Sequence, residues 1–513
     1  MILLIHNNKH PVEILKDGQP LDMYIQKQAV SAACFLLAEK FPKEFFVWVH
    51  QDLKGNLNID FFKAHSNTIE MLSYAANKSL VISEEMGYVD QSVFFRIQPN
   101  VKYPTWLMSG SAGCISCKAL NHFRSWIPSY SDFDLFLCVL AKIGMSKGLR
   151  VYSEPQLMKK VDESGASFSK STTTTYAAIA TLFSTKWLLL FELQRLMYSS
   201  KINPLQLVKA FQIKSISNTE IPHLELYASN RNEAESKLSF DIVIPTLGRK
   251  EVLKQTLEDL AVQSLLPKCV IIIEQNSNSD SVSELDYLDT ESWPFEIKHT
   301  FTHQTGACNA RNMALDQVEA DWVFLADDDL RIPNDFLQSA NSFIQNEKPQ
   351  AFTVSCLQQG EVEQEDTVIQ WPSFGSGCSF VKASALENIR FDLALENGFG
   401  EDADFGMQLR KSGIDILYNP FLRLLHLKSP VGGFRKPVDK PWHSENLSPK
   451  PAPTVLASIL KHATPSQIKG YKTLLFLKFY RLQQIKNPFF YFRQMQKRWK
   501  ISLFWAQKLL NKK

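Results

Sequence analysis

Between residues 238 and 436, short apolar runs alternate with stretches of helical period. The runs SFDIVIP (239–245) and CVIIIE (269–274) are continuously apolar and rich in β-branched residues, as is typical of strands buried on both faces. The segment between them repeats its apolar residues with the period of a helix, at Val252, Leu253, Leu257, Leu260 and Ala261. This alternation predicts an α/β fold with a largely parallel sheet.

A third apolar run, ADWVFLADDD (320–329), predicts a strand that ends in three consecutive acids. Ligands of such sheets bind beyond the carboxyl ends of the strands. We therefore expect the chemistry of this region to lie at the end of that strand.

The remaining residues separate into three further regions. Residues 1–164 show mixed patterning, and residues 165–237 form a mostly helical connector that closes on the polar stretch SNRNEAES. After residue 436 come a Pro-rich passage and a basic tail, together covering 437–513. A chain of 513 residues is several times the commonest domain size, so at least two domains are expected.

Composition excludes few functions but indicates the compartment in which the protein works. With 45% apolar and 21% charged residues and a net charge of +3, the chain is an ordinary folded protein in which charge alone does not indicate a nucleic-acid partner. The eight cysteines are scattered, which favours a reduced, cytoplasmic compartment. The start, MILLIHNNKH, lacks the pattern of a signal peptide. The apolar stretch 176–198 is interrupted by charges, so we interpret it as a buried helix.

Two acidic groups carry the candidate chemistry. Asp327, Asp328 and Asp329 repel one another unless a cation lies among them, although a solvated acidic turn is the simpler alternative. Some seventy residues later, GFGEDADFGMQLRKSG (398–413) places further carboxylates at a predicted helix start, where the helix dipole also favours them. Two acidic groups at one end of one sheet favour the metal interpretation.

Together these segments resemble the family 2 glycosyltransferases of the GT-A fold. The resemblance runs from about residue 240 to 435 and follows the family's motif order. Its motifs are DIVIPTLGR (241–249), EQNSNSD (274–280), GACNARNMAL (306–315), LADDDL (325–330), GSG (375–377), GEDADF (400–405) and a later His426.

The resemblance implies the donor site. The residues that would contact the nucleobase, ribose and phosphates are Pro245, Thr246, Arg249, Gln275, Asn276, Arg311, Asn312, Asp327 and Asp328. The EQNS loop lacks the Asp that the family usually has there, so the identity of the base stays open. Guanidinium groups suit phosphates because they are permanently charged and donate in parallel.

The resemblance also implies a metal and a mechanism. Asp329 and His426, with Asp327, would hold Mn²⁺ or Mg²⁺, which neutralises the charge that develops on the leaving diphosphate. Asp402, or Glu401 beside it, would accept the proton of the attacking hydroxyl, and the single displacement would invert the anomeric centre. Trp371 and Gly377 would border the acceptor, although core packing explains the tryptophan equally well.

Residues 1–164 contain a faint copy of the second half. FFVWVHQDLKGNLNIDFF (45–62) parallels WVFLADDDLRIPNDFL (322–337), and two later segments match in the same order. The copy has His50, Gln51 and Asp52 in place of the three aspartates and fewer residues before them. We therefore expect either a shortened GT-A-like domain without a donor site, serving acceptor binding or a homodimer, or a chance similarity.

The tail has no Asp or Glu after residue 447, while Lys and Arg alternate with Phe, Trp and Tyr. This pattern favours an amphipathic helix on an anionic membrane surface at the inner face of the membrane. A packed helix with a solvated basic face and a nucleic-acid site are the alternatives. On the membrane interpretation, the acceptor would be a lipid-linked glycan, as in polysaccharide biosynthesis.

Two other functions remain compatible with the acidic motifs. A nucleotidyltransferase would use the same carboxylates and metal but would release pyrophosphate. A non-catalytic glycan-binding protein would not need the carboxylates at 329 and 402.

Overall fold

A computed structural model describes residues 1–22, 27–65, 67–76, 79–159, 167–216, 219–224, 237–429 and 439–511. The chain divides into two compact units. The first comprises Met1–Ala228, Lys411–Gly413 and Ala463–Leu474, and the second comprises Ser229–Arg410, Ile414–His462 and Leu475–Lys513. The polar stretch 229–236 and the GGFR segment 432–435 lie outside the described residues.

The first half of the chain contains ten strands and seven α-helices within its described part. In chain order they are β1 Ile2–His6, β2 Pro11–Lys16, β3 Gln19–Pro20, α1 Val30–Lys40, β4 Phe45–His50, α2 Ile59–Ala64, β5 Glu70–Tyr74, β6 Leu80–Ser83, β7 Tyr103–Pro104, β8 Ala112–Ser116, α3 Cys117–Phe123, α4 Phe133–Met145, β9 Arg150–Ser153, β10 Phe168–Ser169, α5 Thr173–Leu182, α6 Thr185–Ser199 and α7 Pro204–Phe211.

Eight of these strands form one sheet in the order β3-β2-β1-β4-β8-β5-β9-β7. Its central strands are buried on both faces, as their continuous apolar sequences require. Helices α5 and α6 contribute Tyr176, Ile179, Leu188 and Phe191 to the core of this unit. The helices of the predicted connector therefore belong to the first unit.

The second half contains the remaining nine strands and eight helices of the described residues. They are β11 Phe240–Thr246, α8 Lys250–Ala261, β12 Cys269–Gln275, α9 Tyr287–Thr290, β13 Glu296–Thr302, α10 Ala307–Leu315, β14 Trp322–Ala326, β15 Leu330–Arg331, α11 Phe336–Glu347, β16 Ala351–Leu357, β17 Ile369–Gln370, β18 Cys378–Lys382, α12 Glu401–Lys411, β19 Ile416–His426, α13 Pro453–His462, α14 Pro465–Tyr480 and α15 Pro488–Leu510.

The sheet of the second unit has the order β13-β12-β11-β14-β18-β16-β19-β15, with β17 beside β19. Strands β13, β12, β11 and β14 run parallel, whereas β18 is antiparallel to both of its neighbours. Parallel strands joined through helices on both faces give this part the predicted α/β architecture. They also bring the ends of β11, β12 and β14 to one edge.

The two sheets share a five-strand pattern. In the first, β1 and β4 are parallel, β8 is antiparallel to β4 and to β5, and β5 and β9 are parallel. The second repeats these directions through β11, β14, β18, β16 and β19. They differ beside β1, where the antiparallel strands β2 and β3 stand in the position of the parallel β12 and β13.

The basic tail forms helices, of which α13 and α15 pack against each other in the second unit. One stripe of α15 is buried, formed by Tyr491, Met495, Trp499, Ser502 and Ala506. The Trp505 indole also donates to Glu445 at 2.8 Å. Within the described residues, no helix combines the length and apolarity that crossing a membrane requires.

Candidate functional site

The three consecutive aspartates begin where β14 ends, at the edge that β11 and β19 also reach. Strand β14 is buried throughout because its residues, WVFLA, are apolar on both faces. The chain must turn after Ala326, so three carboxylates are presented at the edge of the sheet. Each carboxylate has a different environment.

Asp327, Asp329 and His426 are the predicted metal ligands, and the structure brings them together. One possible ligand atom from each lies within 4.8 Å of the others. His426 ends β19, and its Nε2 lies 3.2 Å from Asp329 Oδ1. Residue 330 pairs with His426 across β15 and β19, which fixes the histidine beside the aspartates.

The surroundings of Asp329 test whether a cation fits. Its side chain is buried, with Oδ2 accepting from the Ser429 backbone N–H at 2.9 Å and from Arg249 Nη1 at 3.3 Å, whereas Oδ1 has only the His426 imidazole beside it, out of good hydrogen-bond geometry. Burial acts to raise the pKa of Asp329, yet His426, the Ser429 N–H and Arg249 outweigh it and hold the pKa below the usual value. A buried carboxylate oxygen that faces an imidazole and lies near a second carboxylate is part of a ligand set that suits Mn²⁺ or Mg²⁺.

Asp328 is not one of these possible ligands. Its carboxylate accepts from Thr246 Oγ1 at 2.7 Å and from Arg249 Nη1 at 2.5 Å. Burial raises the pKa of Asp328 to about 6, although Arg249 and Thr246 oppose the rise. These contacts join the end of β11 to the end of β14.

Asp327 is the most solvent-exposed of the three carboxylates. Arg311 Nη2 donates to its Oδ1 at 3.1 Å, and Arg311 itself is buried on α10. The Arg311 Nε atom has no hydrogen-bond partner. A Cβ at Gly377 would lie 2.2 Å from Asp327 Oδ2, so glycine makes room for this carboxylate.

The other predicted donor residues lie around the ends of β11 and β12. Pro245 is half-buried in β11, and Asn276 follows β12 and accepts from the Asn278 backbone N–H. Gln275 Oε1 accepts from the Gly306 backbone N–H at 2.6 Å, which ties β12 to the start of α10. Asn312 lies on α10, but its amide exchanges two hydrogen bonds with the backbone of Phe391.

Asp402 and Glu401 lie in the first turn of α12. Asp402 Oδ1 accepts from the Ser376 backbone N–H at 3.3 Å, next to Gly377. Burial raises the pKa of Asp402 against the opposing effect of Arg311, and burial also raises the pKa of Glu401. Both carboxyls therefore hold protons more readily than an exposed acid does.

Trp371 is half-buried and stacks on Tyr418, with ring centroids 4.3 Å apart and planes 21° apart. Its backbone oxygen accepts from Arg410 Nη2 at 2.5 Å. One face of the indole is therefore occupied by packing within this unit.

Sequence reasoning missed Glu396 and, for Asp404, which belongs to the predicted acidic group, it missed the partners. Glu396 accepts from the backbone N–H groups of Cys308 and Asn309, and so caps the N-terminus of α10, which carries Arg311. Asp404, fully buried on α12, contacts His462 Nε2 at 2.6 Å and Lys461 Nζ at 2.7 Å, both on α13. The spacing EDAD indicated acids at a helix start, but no local pattern points to a partner almost sixty residues away.

The first unit repeats one contact of this site. In β8 and β18, Ala112 lies opposite Val49 and Cys378 lies opposite Ala326, so Gly110 corresponds to Ser376. The Gly110 backbone N–H donates to Asp134 in the first turn of α4, as the Ser376 N–H donates to Asp402. The same register places His50 where the second unit has Asp327.

Comparisons with known protein families give a match within the second unit. The profile described as Glycosyl transferase family 2 matches residues 241–403. No curated protein sequence matches the chain.

Three solved structures illustrate what the chain is similar to. TarS 1–349 of S. aureus in complex with UDP-GlcNAc is 16% identical, with 52% of this chain and 82% of that chain covered and a TM-score of 0.38. Mannosyltransferase PcManGT from Pyrobaculum calidifontis, in complex with GDP-Man and Mn²⁺, is 16% identical over 54% of this chain and 88% of that one, with a TM-score of 0.32. Another TarS 1–349 structure is 18% identical, with 37% of this chain covered and a TM-score of 0.32.

The chain spans 60% of the length of that last structure. Identities and TM-scores this low carry nothing about substrates, so the assignment rests on the profile and on the α/β architecture of the second unit. Residues 241–403, which belong to the second unit and to its α/β sheet, match the profile of the family 2 glycosyltransferases.

Proposed function

We propose that the second unit transfers a sugar from a nucleotide-diphosphate sugar to a hydroxyl of a glycan or lipid-linked glycan, with inversion at the anomeric carbon. The observation that carries this proposal is the convergence of Asp327, Asp329 and His426 at one sheet edge, inside a family 2 domain. The cation is a divalent ion, Mn²⁺ or Mg²⁺.

The donor lies across the ends of β11, β12 and β14. Gln275 and Asn276 border the nucleobase, and Thr246 with Pro245 forms the floor beside the ribose. Arg249 and Arg311 provide fixed positive charge toward the phosphates. Asp328 holds Arg249 in place through its contact at 2.5 Å.

Asp327, Asp329 and His426 would hold the cation, which neutralises the negative charge gained by the leaving diphosphate. Arg249 and Arg311 assist by holding the diphosphate in one orientation. Because Gly377 has no side chain, the Asp327 carboxylate keeps its position at the sheet edge.

Asp402 accepts the proton of the attacking hydroxyl. The acceptor oxygen forms a bond to the anomeric carbon while the bond from that carbon to the diphosphate oxygen breaks, and the electron pair leaves with the phosphate. The proton of the hydroxyl passes to Asp402, which the Ser376 N–H orients. One displacement from the opposite face inverts the configuration.

The first unit has no donor site in this proposal and serves acceptor binding or dimerisation. The antiparallel strands β2 and β3 leave no equivalent of β12, whose end carries Gln275 and Asn276. His50 stands in the place of Asp327, so the acidic edge is also incomplete.

The test begins with the donor. A thermal-shift screen of nucleoside diphosphates and their sugars, with and without Mn²⁺, should raise Tm for one base in a metal-dependent way. Incubation with the selected sugar nucleotide and a glycan acceptor should then release the nucleoside diphosphate. Release of pyrophosphate would instead indicate a nucleotidyltransferase, and glycan binding without any turnover would indicate a binding protein.

A further inference from the structure

Helices α6 and α7 place a continuous set of apolar side chains on the surface of the first unit. The exposed members are Leu189, Leu193, Leu196, Met197, Ile202, Leu205, Val208 and Phe211. Leu205 is 74% exposed and Ile202 is 61% exposed. The stretch 176–198, predicted as one buried helix, spans α5 and α6. Helix α5 is buried through residues such as Tyr176 and Ile179, whereas the apolar burial of α6 is limited to Leu188 and Phe191. Apolar patches of this size on a protein surface mark sites of interaction.

The exposed charged side chains within residues 193–219 are positive, although Glu85 lies beside α6, where it pairs with the buried Arg195. Between residues 193 and 219 the sequence has no Asp or Glu, and Lys201, Lys209 and Lys214 are exposed. Glu192, the nearest acid before this stretch, is half-buried and accepts from the Asn203 backbone N–H at 2.6 Å. The face therefore combines apolar side chains with cations at its margin.

Helix α15 presents a second face of the same kind in the second unit. Opposite its buried stripe lie exposed residues at helical spacing, namely Phe489, Phe490, Arg493, Lys497, Lys500 and Phe504. Phe489 is 72% exposed and Phe490 is 59% exposed. Within the described part of the chain, no residue forms an ion pair with Arg493, Lys497 or Lys500. The acid nearest in sequence, Glu445, is bonded to Trp505.

The chemistry of both faces selects among partners. A second copy of this chain, docked about a twofold axis, would bring the same lysines together and would leave their charge uncompensated. Single-stranded nucleic acid binds in basic grooves that follow the backbone, whereas α15 offers the convex side of a single helix. Leu, Met and Phe beside Lys and Arg, without acids, match the headgroup boundary of an anionic bilayer.

We propose that each unit carries its own site for anionic lipid, the exposed face of α6 and α7 in the first unit and the exposed face of α15 in the second. The apolar side chains enter the boundary between headgroups and acyl chains, and the lysines and arginines lie among the lipid phosphates. No segment crosses the bilayer in this arrangement.

Vesicle co-sedimentation of the full chain tests the proposal. Vesicles of phosphatidylcholine alone should bind little protein, and vesicles with roughly one third phosphatidylserine should bind most of it at low salt. Binding should weaken at high salt, because exposed charges are screened, while the apolar contribution persists. The variants L189Q/L193Q/L196Q and F489S/F490S/F504S should each reduce the partition coefficient roughly tenfold or more, as loss of buried methylenes requires.

Matched controls separate the two faces from general effects. V262S/V362S removes exposed apolar side chains elsewhere and should bind as wild type. R493Q/K497Q/K500Q should lose binding, whereas K43Q/K118Q/K348Q removes the same number of exposed charges without that loss. Thermal melts of all variants should coincide with wild type, since every altered side chain is exposed.

Three outcomes would overturn the proposal. The first is equal binding to neutral and anionic vesicles, or none to either. The second is wild-type binding by a variant that carries both apolar sets of substitutions. The third is a protein that does not bind vesicles but forms a dimer by light scattering, with the apolar substitutions dissociating that dimer. The faces would then bind a second copy of the chain.

Discussion

The three consecutive aspartates at the end of β14 have the same side chain but different environments, because different residues surround each of them. Asp328 is buried and held by Thr246 and Arg249, Asp329 faces His426, and Asp327 is partly open and contacts Arg311. The sequence DDD predicted a cation, but it could not say which carboxylate turns inward. Only the positions of β11, β19 and α10 settle that.

Replacing Asp329 by Ala should abolish metal-stimulated turnover of the sugar nucleotide. The variant loses the buried carboxylate that faces His426, so a proposed ligand disappears while Asp328 still pairs with Arg249. Turnover with and without added Mn²⁺, together with a thermal melt, checks this. A wild-type enzyme that remains fully active after exhaustive chelation would contradict the metal role.

Asp402→Asn should lower transfer by roughly two to four orders of magnitude, because an amide keeps the contact with Ser376 but accepts no proton. Glu401→Gln, one residue earlier in the same turn, is the matched control and should retain most of the activity. Donor affinity should be unchanged in both variants. If Glu401→Gln were inactive and Asp402→Asn active, the two roles would be exchanged.

The role proposed for Asp402 also predicts how the transfer rate depends on pH. A base works in its deprotonated form, so the rate falls as pH drops through its pKa. Burial raises the pKa of Asp402, which moves this acid limb above the 3.8 of an ordinary aspartate. The profile of kcat/KM against pH measures it, and a limb at or below that ordinary value would show that another group accepts the proton.

At the scale of elements, α13 supports the helix that carries the proposed base. His462 and Lys461 on α13 contact the buried Asp404 of α12, and the Phe399 backbone N–H donates to Thr454 Oγ1 at 3.1 Å. Part of the tail is thus structural support for the catalytic unit. Removing the whole tail would damage the fold, which is why single exposed faces are the sharper test of lipid binding.

His462→Ala should destabilise the protein by roughly 1–3 kcal/mol, because it leaves a fully buried carboxylate with one partner fewer. His443→Ala is the matched control, since His443 is half exposed and its partners, the exposed Asp439 carboxylate and the Lys440 backbone N–H, lie at the surface. Urea unfolding of both variants gives the two free energies. Equal stabilities would mean that the α12–α13 contact contributes nothing.

Acid should weaken the same contact. Burial acts to raise the pKa of Asp404, but His462 and Lys461 outweigh it and lower the pKa below 3.8. A depressed folded-state pKa contributes stability that is present above the unfolded value and is lost as pH falls through the folded one. The stability gap, which is the difference in unfolding free energy between wild type and Asp404→Asn, should therefore narrow as the pH falls from about 5 to 3. A constant gap down to pH 3 would contradict this.

Sequence patterns predicted the central elements of the second unit because these are locally determined. Strands β11, β12 and β14 are continuous apolar runs, and α8 has its apolar residues at helical spacing. Strand β13, EIKHTFT, was not predicted, because it lies at the edge of the sheet and its apolar residues alternate with polar ones. The sequence pattern also failed to predict that Leu189 and Leu193 are exposed. Periodicity shows that a helix face is apolar but not whether another element covers it.

At the scale of the whole molecule, the chain contains one five-strand pattern twice. The faint sequence repeat pointed to this correspondence, and the sheet orders extend it to strand direction and register. What the sequence could not show is how the first unit differs beside β1. A short stretch before β4 is compatible with several arrangements, and the antiparallel β2 and β3 become evident only from the pairing.

This difference predicts that the full chain binds one nucleoside diphosphate, not two. The first unit keeps the Gly110–Asp134 contact but has His50 in place of Asp327 and no counterpart of β12, so it lacks both the nucleobase border and the acidic edge. Titration calorimetry with the diphosphate selected by thermal shift, in the presence of Mn²⁺, should give a stoichiometry near one. Arg249→Ala combined with Asp329→Ala should remove all detectable binding, whereas His50→Ala with Asp52→Ala, the matched change in the first unit, should leave both affinity and stoichiometry intact. A stoichiometry near two, or residual binding in the first double variant that the second abolishes, would show that the first unit has a donor site of its own.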